Sequence, residues 1–202
     1  MIQLTELERD ALVELFNIGL HRAAASLSDL SGQRIDVALP QLWIVPTSSV
    51  EPLLKEVLDG ELATVHQVFR GAISGDAVFM LEYEKAVRLA SVLSGGEAAL
   101  GGRVDAAARE VLSEVGNIIL GACLSSFGDV LKVSVSFSVP RIHIESLHAL
   151  LRSIVVEEDE VQYALIAAAH FKMTRSEVEG YLCVVVGVNS IHQMARALME
   201  GA

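Results

Sequence analysis

The chain has only two cysteines, Cys123 and Cys183, in no metal-binding or redox spacing. That excludes a disulfide framework and suits a reducing compartment, with both thiols expected as small buried hydrophobes. Basic residues are few. Against 26 Asp and Glu there are 15 Lys and Arg, a net charge of −11. This balance argues against nucleic acid or an anionic membrane as partner. It suits a basic patch on a partner protein, or simple solubility. No continuous apolar run reaches the length of a membrane span, and the longest, Leu182 to Val188, is strand length. The first residues are acidic where a secretory signal would be basic, so a cytoplasmic protein is expected. There is no glycine-rich phosphate loop and no serine in a nucleophile elbow. The histidines His66, His143, His148, His170 and His192 show no helical metal-ligand spacing, so no metal or cofactor of its own is expected.

What the sequence does contain is a spaced motif in two copies. Asp10, Glu14 and Asn17 are followed after 22 residues by Pro40, and Glu110, Glu114 and Asn117 are followed after 22 residues by Pro140. The 31-residue windows from Asp10 and Glu110 align without a gap. They also share Leu12/Leu112, Ile18/Ile118, Leu20/Leu120, Ser26/Ser126 and Asp29/Asp129. Internal duplication is the economical reading. At about 100° per residue, positions i, i+4 and i+7 fall within about 60° of one another on a helix. Each copy therefore predicts one polar face on a long helix. His21 returns to the first face, where its counterpart is Gly121.

The order of elements also repeats. Thr5 and Glu8 form a capping-box pattern ahead of a helix to about Leu30, with Leu12, Phe16, Ala23, Leu27 and Leu30 as its apolar stripe. Ile35 to Leu39 alternates like a strand, with Pro40 closing it and Pro46 interrupting the residues beyond. A short helix over Ser49 to Leu58, strands near Leu62 to Phe69 and Gly75 to Glu82, and a helix from Glu84 to Leu93 complete the first half. Gly95, Gly96, Gly101 and Gly102 mark the junction. The second half reads as a helix from Val104 to Phe127 with Asp105 as N-cap and a strand from Leu131 to Val139. Next come a short helix from Ser146 to Ile154, strands near Val161 to Phe171 and Gly180 to Val188, and a last helix after Ser190. Consecutive strands with short turns favour antiparallel pairing. The expected fold is α+β: one body over residues 1–202, duplicated about a pseudo-twofold, with repeats 1–98 and 99–202. Its largely antiparallel sheet is flanked by helices, and the two long motif helices are exposed.

Asn is a poor mid-helix residue, yet it recurs at one register in both long helices. Its amide is both donor and acceptor and can hold a water without acting as a base. The nearby carboxylate can instead pair with a cation on a partner.

The motif order, and the contexts Glu14-Leu15-Phe16-Asn17-Ile18-Gly19 and Glu114-Val115-Gly116-Asn117-Ile118, resemble the signature of the CheC/CheX/FliY family of chemotaxis phosphatases. Two motif copies in a chain of this length look most like the CheC type. CheX-type members carry one functional copy, and FliY-type members add a flagellar-switch domain that this sequence does not include. The resemblance implies hydrolysis of the phospho-aspartate on a CheY-like response regulator, with Mg²⁺ bound by that receiver. It implies that Asn17 and Asn117 orient the attacking water, and that Glu14 and Glu114 pair with the receiver's active-site lysine. Asp10 matches the motif's first position. Glu110 departs from the Asp or Ser usual there, which favours the first site over the second. Pro40 and Pro140 are expected to shape strand ends. The rival reading is a docking or scaffold protein that binds a phospho-receiver or a CheD-like deamidase without catalysis.

Overall fold

A computed structural model describes residues 4–99, 101–154, 162–173 and 176–201. The first helix, α1 (Glu6–Ser31), begins at the expected capping box. Thr5 Oγ1 accepts from the Glu8 backbone N–H at 3.2 Å, and the Glu8 carboxylate accepts from the Thr5 N–H at 2.8 Å. Leu12, Leu15, Phe16, Leu20, Ala23 and Leu27 form its buried stripe. Leu30, assigned to that stripe from sequence, is 56% exposed. Three residues beyond Leu27 it has turned about 60° away from the core.

The second motif helix, α4 (Ala106–Leu131), is capped by Asp105, whose carboxylate accepts from the Ala108 N–H at 2.8 Å. It runs past the expected end at Phe127. The strand expected from Leu131 to Val139 therefore shrinks to β4 (Val135–Phe137). A further strand, β5 (Arg141–Ser146), comes after Pro140 and has no counterpart in the sequence reading. In the first half, β1 (Ile35–Pro46) continues through Pro40, where a strand end was expected. Its pairing slips in register between Ala38 and Gln41 instead. Proline has no N–H to give the ladder, so each copy must either bulge or break there. The first copy bulges and the second breaks.

The remaining elements are α2 (Val50–Lys55), β2 (Glu61–Gly71), β3 (Gly75–Glu82), α3 (Tyr83–Leu93), α5 (Leu147–Ser153), β6 (Gln162–Met173), β7 (Ser176–Gly187) and α6 (Val188–Gly201). The start of the expected strand, Val161, lies outside the described residues. The 7-stranded antiparallel sheet has the order β1-β6-β7-β3-β2-β4, with β5 also on β2. This order is unchanged when β1 is exchanged with β4 and β5, β6 with β2, and β7 with β3. The first half's β1 pairs with the second half's β6, while the second half's β4 and β5 pair with the first half's β2. Each half completes its sheet with a strand from the other.

Helices cover both faces of the sheet, which is why β3 and β7 are nearly continuous apolar runs. On one side α1, α3, α4 and α6 enclose the larger core. On the other, α2 and α5 cover a smaller one that includes Leu54, Leu150, Ile166 and Tyr181. The α4 helix has the length and hydropathy of a membrane span. Here Leu112, Val115, Ile119, Leu120 and Phe127 are buried in the protein core, while Glu110 and Glu114 face out. The packing leaves little spare room. A Cβ on Gly19 would lie 2.7 Å from Cys123 Cα, and a Cβ on Gly116 would lie 2.5 Å from Val65 Cβ. Phe16 meets Phe127 edge-on at 5.4 Å. Both cysteines are buried, and burial pushes each thiol up to about 12, so neither is a ready nucleophile.

Candidate functional site

Two helical faces carry the motif residues. On α1, Asp10 and Glu14 are exposed and Asn17 is half-buried; on α4, Glu110 and Glu114 are exposed and Asn117 is half-buried. Position by position, the exposure pattern of residues 10–20 repeats over residues 110–120. The reason is the common apolar register. Leu12, Leu15, Phe16 and Leu20 turn inward on α1, and Leu112, Val115, Gly116 and Leu120 do so on α4, leaving the motif positions on the opposite side.

Among the described residues, no hydrogen bond or ion pair engages the side chains of Asp10, Glu14, Asn17, Glu110, Glu114 or Asn117. The amides are thus unpartnered, and each is partly sunk between its neighbours on a rigid helix. A carboxylate stands one turn away. Such a face can dock a cation and align a water or a polar group brought by a partner. Among the described residues there is no group of His, Cys, Asp and Glu arranged to hold a metal ion.

The flanks of the faces differ. His21 is exposed beside the first face, whereas the equivalent Gly121 opens onto space in which an added Cβ would meet nothing within 4 Å. Arg22 reaches across to α4 and donates to Asp129 Oδ2 at 2.6 Å and Ser126 Oγ at 3.3 Å. Its counterpart Ala122 cannot return the contact. Sequence reasoning missed this cross-helix tie, although the aligned repeats do show Arg against Ala at that position. The two prolines belong to the sheet and not to the helical faces. Pro140 is half-buried between β4 and β5; Pro40 lies in β1, and its side chain is outside the described residues.

No protein-family profile matches the chain. Among curated proteins it is 26% identical over 145 residues to the flagellar motor switch phosphatase FliY of Bacillus subtilis, covering 70% of this chain and 36% of that protein. The chain therefore spans about a third of that relative. It is 21% identical over 205 residues to the CheY-P phosphatase CheC of Bacillus subtilis, covering 96% of this chain and 94% of that one. Among solved structures, Thermotoga maritima FliY superposes with a TM-score of 0.78 at 19% identity and covers 100% of both chains. The FliM–SpeE complex from H. pylori gives 0.69 at 10% identity, covering 98% of this chain and 97% of the other. The CheX–CheY–BeF3–Mg²⁺ complex from Borrelia burgdorferi gives 0.53 at 16% identity, covering 86% and 98%. At these identities the structures share the fold. The chain is an α+β body with helix-borne motif faces, similar in sequence to a FliY and a CheC and sharing its fold with FliY, FliM and CheX structures.

Proposed function

We propose that this protein is a cytoplasmic phosphatase that hydrolyses the phospho-aspartate of a CheY-like receiver. The observation that carries this reading is the pair of unpartnered amides, Asn17 and Asn117, at one register on two exposed helices. An acyl phosphate is already reactive, and the receiver supplies its own Mg²⁺. The phosphatase has only to hold a water in line with phosphorus, so positioning accounts for the rate. Each Asn amide orients that water. Glu14 or Glu114 pairs with the receiver's active-site lysine and seats the helix. Asp10 and Glu110 support the docking edge of each face. The relatives named as phosphatases support the reaction class.

The test uses a phosphorylated CheY-like receiver in large excess over this protein. Release of many phosphates per chain is expected. Protection of the phospho-receiver in proportion to added protein would instead make it a docking protein for the receiver.

A further inference from the structure

The side of the sheet opposite the motif helices carries a cleft of about 530 Å³ at the break between β4 and β5. Arg70, Arg141, His66, Phe137, Ser138 and Val139 are among the residues lining it. No carboxylate lines it, although the chain as a whole is strongly acidic. Some cations elsewhere find acidic partners within the fold, Arg22 with Asp129, Arg34 with Asp36, Lys55 with Glu51 and Lys85 with Glu82, while others such as Arg88, Arg103 and Arg152 have none among the described residues. Arg70 and Arg141 are exposed and have no acidic partner among the described residues.

The pseudo-twofold supplies an internal control. Arg141 pairs in register with His66, as Gln41 pairs with Ala168. Arg70 lies opposite Ser136, as Lys172 lies opposite Asp36. The equivalent cleft beside β1 and β6, of about 510 Å³, therefore carries its own anions. Lys172 meets Glu177 at 3.4 Å, Lys85 lies 4.0 Å from Glu179, and His170 bonds Glu179. Each cleft has a His–carboxylate pair, His66 with Asp76 and His170 with Glu179, but Lys172 is answered by Glu177 whereas Arg70 and Arg141 have no acidic partner among the described residues.

Two further features describe what would fit the cationic cleft. Phe137 is 39% exposed and Val139 82%, so two of the four exposed large hydrophobics among the described residues sit on its rim. The break itself is firmly held. Ser138 donates its N–H to Val68 O at 2.9 Å and accepts the Val68 N–H on Oγ at 3.0 Å, and Gln67 Nε2 donates to Ser138 O at 2.8 Å. Below, His66 is bonded to Asp76 at 2.6 Å. Among the described residues β4 and β5 pair only with β2, leaving their outer edge open. Positive charge, exposed apolar side chains and an open strand edge together match an extended peptide of alternating acidic and apolar residues. We propose that this cleft docks an acidic, apolar-bearing peptide segment of a partner protein, independently of the helical faces.

The test measures anisotropy of a short fluorescent peptide alternating glutamate with leucine. Controls alternate lysine with leucine and glutamate with serine. The glutamate–leucine peptide is expected to bind the wild type and to weaken as salt rises. Arg70→Gln/Arg141→Gln should lower its affinity about ten-fold while leaving receiver dephosphorylation unchanged. Val139→Ser should weaken this peptide but not the glutamate–serine one. Both arginines are exposed, so the double variant should melt like the wild type, and the salt dependence of the wild type tests the charge claim without any variant. Four results would overturn the proposal: no binding to the wild type, unchanged affinity in the double variant, equal binding of the lysine peptide, or full competition by free glutamate or inorganic phosphate. The last would define a small-anion site instead.

Discussion

The α1 and α4 faces repeat each other in residue type, register and exposure, whereas the two clefts across the sheet have diverged in charge. Both pairs are related by the same exchange of strands and helices. The helical faces rest on one inward-facing apolar register, and the same motif stands on each. The clefts are assembled from strand positions that face solvent, where Asp36 and Ser136, or Gln41 and Arg141, can be exchanged at small cost to the fold. Likeness of the faces and unlikeness of the clefts thus point to one shared task and to one task not shared.

The core beneath the faces also differs between the copies. Phe16 in α1 fills space against Phe127, while its counterpart Gly116 lets α4 lie directly on Val65. Phe16→Ala should cost about 3–5 kcal/mol, read as a fall of roughly 10 °C or more in melting temperature. Gly116→Leu should cost about 1–3 kcal/mol by overpacking. If Gly116→Leu melts like the wild type, α4 does not lie as close to β2 as described.

Reversing charge on both faces should act next most strongly. Glu14→Lys/Glu114→Lys should weaken binding to a receiver carrying a phosphoryl mimic by about ten-fold, because on each face a cation would then meet the receiver's lysine. Unchanged affinity would reduce these carboxylates to ordinary solvated groups. A smaller effect is expected from His21→Gly, which gives the first face the flank of the second. Measured in an Asn117→Ala background, dephosphorylation should change by less than about two-fold. A large loss would make His21 a docking contact.

The smallest difference lies at the helix starts. The Glu8 carboxylate is held below its ordinary value of 4.5 by the backbone N–H and hydroxyl of Thr5. Its folded value is depressed, so its contribution to stability is present above that ordinary value and is lost as pH falls through the folded one. The α4 start has Ala108 in the equivalent place. Glu8→Gln should therefore flatten the acid limb of a melting-temperature profile slightly, and Ala108→Gln should leave its slope alone.

Local pattern carried much of this structure. The capping box, the apolar stripes and the i, i+4, i+7 spacing all lie within one helix, and each could be read from neighbouring residues. Leu30 was misplaced because a stripe says nothing of where the core ends. The strand β5 was missed because Pro140 reads locally as a terminator, while its pairing with β2 lies some 80 residues away in sequence, as in Arg141 with His66 and Ser146 with Glu61. The same distance hid the cationic cleft: Arg70 and Arg141 become neighbours only when the second half's strand is laid on the first half's.

The central claim is that both helical faces hydrolyse the acyl phosphate through their amides. Its direct measurement is the rate of dephosphorylation of a phospho-receiver by wild type, Asn17→Ala, Asn117→Ala and the double variant. Ala is the better helix former, so the fold should survive each change. Each single variant should retain part of the activity, with Asn17→Ala the more damaging because the second face carries Glu110. The double variant should fall on the order of 10²-fold while still binding the receiver. A folded double variant that releases phosphate at the wild-type rate would contradict the account.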